Sequence, residues 1–147
     1  MNFEVHISKN PAVFQNILQL RYTILREPWH QSKASATDDL EETSYNAYIL
    51  SDTSDVIACG RLQENENKVG QIRYMAVDQI WQGKGLGKLI LQALEKKGIE
   101  LGFKKIELQA RDNAVSFYKN NGYKVEQKTF LLWNQIQHYL MSKTINS

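Results

Sequence analysis

The chain has 147 residues, 42% hydrophobic and 23% charged, with a formal net charge of +2. That is the size and balance of one soluble globular domain with a full core. So small a charge gives no polybasic footprint for nucleic acid, no apolar stretch nears the ~20 residues that cross a bilayer, and a single cysteine, Cys59, excludes an internal disulfide.

In chain order, Met1 to Val5 has neither a basic nor an apolar leader region, so a cytoplasmic location is expected. Phe3 to Ile7 alternates like a strand. Pro11 opens a helical pattern carried by Phe14, Ile17, Leu18, Arg21, Tyr22 and Leu25, and Pro28 is expected to close it. Gln31 to Glu42 is polar and irregular; its acidic run, 38–42, reads as a solvated face, with attraction of a cationic amine as the alternative. Tyr45–Leu50 and Val56–Leu62 read as strands joined by the turn residues Ser51 to Asp55. Cys59 lies in the apolar run Val56 to Cys59 and reads as a packed thiol. A second turn, Glu64 to Asn67, leads into a third antiparallel strand, Val69–Val77.

The pattern then changes. A glycine-rich loop follows, then a helix at about 85–101 with Leu86, Leu89, Ile90, Ala93, Leu94 and Leu101 on one stripe, then a strand at Lys105–Ala110. A strand–helix–strand unit predicts two parallel strands with a right-handed crossover. Asp112 is placed to cap a short helix, Asn113–Asn120, and Gly122 to end it in a left-handed conformation. Two last strands, Tyr123–Leu132 and Gln137–Lys143, complete a mixed sheet with helices on its faces.

The loop Gln82-Gly83-Lys84-Gly85-Leu86-Gly87-Lys88 is the chemical signal. Glycines at alternate positions let backbone turn and approach a ligand. The first N–H groups of the following helix have no intrahelical partner, and a phosphate suits them. Which phosphate is a matter of spacing. A P-loop needs Gly-Lys-Ser/Thr, but Leu89 follows Lys88, and Gln82 stands where its first glycine belongs. A dinucleotide fingerprint needs Gly-x-Gly-x-x-Gly near the first strand, and here three strands precede Gly-x-Gly-x-Gly.

Gln-x-x-Gly-x-Gly, with Met75-Ala76-Val77 before it and Asn113 to Tyr123 after it, closely resembles the GCN5-related N-acetyltransferase (GNAT) family, and the element order matches over nearly the whole chain. Within the family, Leu20 to Arg26 and the ending His138 to Lys143 resemble a small bacterial-type subgroup. The resemblance implies a single-domain acyl-CoA N-acyltransferase fold over 1–147, with a splayed parallel strand pair. It implies acetyl-CoA as co-substrate, no metal, and a small-molecule or peptide amine as acceptor. A monomer or homodimer is expected, with no nucleic-acid or membrane partner. Carried over residue by residue, Gln82, Gly83, Lys84, Gly85, Leu86, Gly87 and Lys88 match the pyrophosphate loop. Met75, Ala76 and Val77 match the pantetheine-binding strand, and Asn113 a position that contacts the same arm. Tyr118 matches a tyrosine near the coenzyme sulfur, suited to protonate the departing thiolate. The Val77 N–H is the candidate donor to the thioester carbonyl. His30, Glu64, Glu107 and His138 qualify as the base by residue type, with His138 foremost because the closing strand passes near the acceptor side in the family; an ordered water is the alternative. The same fold also serves non-catalytic acyl-CoA sensing, which the residues leave open.

Overall fold

The computed structural model describes residues 2–8 and 11–146. The elements run β1 (Val5–Ser8), α1 (Pro11–Arg21), β2 (Tyr45–Leu50), β3 (Val56–Glu64), β4 (Val69–Val77), α2 (Leu86–Glu100), β5 (Lys105–Arg111), α3 (Val115–Asn120), β6 (Lys124–Leu132) and β7 (Ile136–Thr144). All seven strands form one sheet, ordered β1-β2-β3-β4-β5-β7-β6. Every pairing is antiparallel except β4 with β5. The last strand thus lies inside the sheet, and β6 forms its edge.

Each face carries its own core. α2 lays Leu86, Ile90, Leu91 and Leu94 against Ala47, Ala58, Leu62, Ile72 and Ile106, with Tyr118 and Tyr123 at the side. On the other face Ile17 and Leu20 of α1 cover Tyr48, Cys59 and Ala76. The mixed sheet with helices on both faces and the parallel β4–β5 pair are as the sequence predicts. Cys59 is a buried core thiol, pushed up to about 11 by its burial.

Several local expectations are corrected. Pro28 does not end the first helix. The chain passes through a π turn at Tyr22–Arg26 and a 3-10 turn at Glu27–Trp29, where proline sits in the first turn and its missing N–H costs nothing. Asp112 does not cap α3. It lies in a 3-10 turn, Asp112–Ala114, and Ala114 occupies the N-cap position with no side-chain bond. Gly122 does take the left-handed conformation, at φ 94°.

The acidic run is the larger correction. Arg21 and Arg61 are fully buried. Arg21 donates to Glu41 at 2.8 and 3.2 Å, to the Asn46 side chain at 2.8 Å and to the Ala36 carbonyl at 3.0 Å. Arg61 donates to Asp38 at 2.7 and 2.9 Å and to Glu41 at 3.0 Å. Arg73 adds a 2.8 Å bond to Asp38. So 38–42 splits: Asp38 and Glu41 turn inward as counter-ions, while Asp39, Leu40 and Glu42 stay exposed. A buried guanidinium must be paired, and these two carboxylates, carried on a loop, pin that loop to the sheet. The Nε atoms of both arginines are left without a partner.

This pairing makes stability pH-dependent. The hydrogen bond from Arg61 holds Asp38 down at about 2, outweighing its burial. Burial alone would raise Glu41, but hydrogen bonds from Arg21 and Asn46 and the charges of Arg21 and Arg61 bring it to about 2. Both lie below their ordinary values of 3.8 and 4.5. Their stabilisation is therefore complete above that range and is lost as pH falls through it toward the folded values. Urea midpoints should drop steeply between about pH 4.5 and pH 2. Glu41→Gln should cost on the order of 3 kcal/mol at neutral pH, because two buried guanidiniums lose a charge partner. An unchanged midpoint in that variant would remove the ion pairs from the account of stability.

Candidate active site

Parallel pairing of β4 and β5 runs from Val69–Lys105 to Ile72–Leu108 and stops. Beyond it the strands part. The cause is a bulge: opposite β3, the β4 register jumps from Arg61–Arg73 to Cys59–Ala76. Tyr74 sits in the bulge at φ 56°, a left-handed conformation that a bulky side chain adopts only under constraint. Guanidinium carbons of Arg21, Arg73, Arg61 and Arg26 lie 4.4, 4.8, 4.9 and 5.8 Å from its ring centre. A ring face attracts cations, so this ring is held in place from several sides. Gly60 faces the bulge, and a Cβ there would meet the Met75 sulfur at 2.5 Å and Ile90 at 2.8 Å.

The bulge also aims backbone groups. The Asp78 N–H donates to the Ile57 carbonyl at 2.8 Å. By antiparallel alternation, Ala58–Val77 is then a non-hydrogen-bonded pair, and the Val77 N–H and C=O point away from β3. On that side β5 has diverged. The Val77 carbonyl accepts from the Gln82 side chain at 3.0 Å, which ties the end of β4 to the following loop.

That loop ends in an uncapped helix start. Gly83 and Gly85 both have φ 81°, with open space where a side chain would point. Gly85 is the N-cap of α2 and supplies no side chain to bond. The first intrahelical bond runs from the Leu89 N–H to the Gly85 carbonyl at 3.2 Å, so the N–H groups of Leu86, Gly87 and Lys88 precede it. Leu86 buries its side chain, leaving its backbone as the only group available, while Lys84 and Lys88 are exposed. Gly87 lets α3 approach: a Cβ would stand 3.3 Å from the Phe117 ring.

The parted strands open onto a cleft of about 530 Å³. Met75 and Tyr118 line it, as do Arg26, Arg73 and Arg111, the aromatic residues Tyr74, Phe130 and Trp133, and His138. Tyr118 is 7% exposed, its ring packed edge-on against Phe117 and Tyr123. Burial pushes its phenol well above the ordinary range, so it stays protonated at neutral pH. Ala76 points into the α1 core, and Val77 packs against the α2 core. Asn113 is exposed in the turn after β5, beside cleft residues Arg111 and Ala114 but not itself lining the cleft.

Comparison with known proteins adds the family. The model described as the acetyltransferase (GNAT) family matches residues 14–123. The chain belongs to this family. Among curated relatives, the uncharacterized N-acetyltransferase YjcF of Bacillus subtilis is 26% identical over 93% of this chain and 96% of its own. A candidate N-acetyltransferase from Lactobacillus plantarum shares the fold at a TM-score of 0.87, with 21% identity and 99% of each chain covered. An aminoglycoside 6'-N-acetyltransferase solved with coenzyme A aligns at a TM-score of 0.78, with 15% identity over 100% of this chain and 98% of that one.

Within this GNAT chain the four candidate bases separate. His30 is exposed and lines no part of the cleft. Glu64 is exposed at the far end of β3, and Glu107 accepts from Asn65 at 3.2 Å outside the cleft. His138 is buried, lines the cleft and stacks on Phe130 with ring centres 4.4 Å apart. Its Nδ1 lies 3.0 Å from the Ile136 carbonyl. A carbonyl can only accept, so Nδ1 carries the proton and Nε2 is an acceptor. Burial lowers the imidazole pKa, with the charge of Arg111 acting the same way and the Ile136 bond opposing. Reading by residue type missed the arginines of the cleft. Their signal is Arg26, two residues before a proline, and Arg111, at the end of β5; neither spacing has a motif. Among the described residues no helix is long and apolar enough to cross a membrane, and no cluster of side chains suits a metal ion.

Proposed function

We propose that the chain transfers the acetyl group of acetyl-CoA directly to the amine of a small molecule or peptide. The observation that carries this is the joint placement of two features: pairing of β4 with β5 ends at Ile72–Leu108, and the same β4 leads, through a 3-10 turn at Gln79–Trp81 and the glycine loop, into an uncapped glycine-led helix. The residues fit the co-substrate. Open space over Gly83 and Gly85 and the free N–H groups of Leu86, Gly87 and Lys88 suit a pyrophosphate, with Lys84 and Lys88 adding charge. The Val77 N–H, turned away from β3, suits a pantetheine amide, and the backbone of Met75, which lines the cleft, is assigned to the same arm.

When bound, the thioester supplies an activated acyl carbon and a thiolate leaving group. The Val77 N–H stabilises negative charge developing on the carbonyl oxygen. His138 Nε2 takes the proton that the amine loses as the new C–N bond forms. Tyr118 gives its phenolic proton to the sulfur as the C–S bond breaks, and the two side chains then exchange protons with solvent. A protonated phenol and a neutral imidazole are the states that burial imposes on both groups.

Isothermal titration with acetyl-CoA and thiol release over an amine panel test this reading. Tight binding with no acceptor-dependent release would replace transfer by sensing. Gly85→Glu should abolish acetyl-CoA binding in a folded protein, through bulk, like charge and a side chain at φ 81°; normal affinity would remove the loop from the site. Tyr118→Phe should lower kcat about 10²-fold with Kd for acetyl-CoA nearly unchanged; full turnover would leave the thiolate to solvent. Because the neutral form of His138 is the active one and its pKa is lowered, kcat/KM should rise with pH below 6.5 and be flat above neutrality. His138→Gln should erase that rise. An unaltered profile would assign the proton to water.

A further inference from the structure

The cleft's electrostatics narrow the acceptor, on the assumption that the chain is the transferase proposed above. Three arginines line it, and no aspartate or glutamate does. Arg73 is paired with Asp38 at 2.8 Å. Arg26 and Arg111 make no ion pair among the described residues. Arg26 donates to the Ser35 and Leu25 carbonyls, each at 3.1 Å, and Arg111 donates to the Leu25 carbonyl at 3.0 Å. Two guanidiniums therefore converge on one neutral oxygen. Asp112, next in the chain to Arg111, is exposed and forms no ion pair with it. Each guanidinium has five N–H donors, so most of theirs have no partner among the described residues.

Like charges held this close, Arg26 buried and Arg111 half-buried, with no carboxylate partner among the described residues, are costly in isolation. Both arginines have lowered pKa values, first through burial and then through neighbouring cations. Elsewhere this same chain pairs its buried arginines, Arg21 and Arg61, with carboxylates. A hairpin turn brings an aromatic ring to Arg26. Trp133 and Asn134 are both left-handed, at φ 52° and 56°, and the Gln135 N–H closes the turn on the Leu132 carbonyl at 2.9 Å. A tryptophan is strained in that conformation. Its ring lies 5.3 Å from the Arg26 guanidinium carbon.

We propose that Arg26 and Arg111 form an oxyanion subsite, so that the acceptor is an amine carrying a carboxylate or phosphate, with an apolar portion against Phe130 and Trp133. Cationic acceptors, polyamines and aminoglycosides among them, are disfavoured by the same charges.

The test is isothermal titration of the full chain, with and without coenzyme A. The anionic arm is the amino acids and phosphoethanolamine, which separate carboxylate from phosphate. The neutral arm is the amino-acid amides and ethanolamine, and the cationic arm is spermidine and kanamycin. At least one anionic compound should bind about tenfold or more tighter than its neutral counterpart. Arg26→Gln and Arg111→Gln should each erase that preference, Arg111→Lys should restore part of it, and coenzyme A affinity should stay within about twofold, reporting an intact fold. Binding by none of the anionic compounds, equal or tighter binding of neutral or cationic ones, or a preference that survives both substitutions would overturn the subsite. Thiol release is read on the same panel. Anion-selective binding without release upholds the subsite and sinks acetyl transfer; release on neutral amines alone does the reverse.

Discussion

The left-handed bulge at Tyr74 is the constraint on which the rest of the site depends. A parallel pair that stayed in register past Ile72–Leu108 would spend the backbone of β4 on β5 and close the cleft. One extra residue on β4 turns the strand and inverts its alternation. Before the bulge, Ile72 faces α2; after it, Ala76 faces α1 and Met75 and Val77 face α2. The bulge thus frees the Val77 N–H, opens the gap and sets which face each later side chain meets.

Such a conformation persists only where the surroundings over-determine it. Here cations around the Tyr74 ring do so, and three of them, Arg21, Arg61 and Arg73, are themselves held by Asp38 and Glu41. The ion-pair network and the cleft are therefore one construction. A loop with little regular structure, 31–44, supplies counter-ions to α1 and β3, and those arginines steady the residue that parts the strands. The buried charge is better understood as specifying one arrangement than as a large source of stability, since desolvation offsets much of the attraction. Among the described residues Arg26 and Arg111 have no carboxylate partner where the cleft opens, and that contrast with Arg21 and Arg61 is what the proposed subsite rests on.

Much of the fold was legible because it is local. Alternation in 69–77, the glycine loop, and the apolar stripe of 86–101 each report on neighbours in sequence, and the parallel β4–β5 pair follows from chirality. Cys59 was legible from its apolar run. The acidic run was misread because charge density resembles solvation; nothing within five residues of Asp38 shows that Arg61 lies across from it. Asp112 looked like a cap because residue type is a weak guide when the turn before a helix is 3-10 and shifts the cap position by two. Among the candidate bases, residue type alone did not separate His138 from His30; the family resemblance favoured His138, and strand pairing carries it to the cleft beside Arg111.

By itself the sequence determined the strand–loop–helix unit and the conformational freedom of its glycines at an uncapped helix start, since backbone freedom and helix-end N–H groups depend on nearest neighbours alone. Tertiary structure decided the insertion of β7 between β5 and β6, the partners of the buried arginines, the bulge at Tyr74, and the gathering of Arg26, Arg111, Trp133 and His138 around one cleft. Those outcomes join residues far apart in the chain, and no local periodicity records a contact made across a sheet.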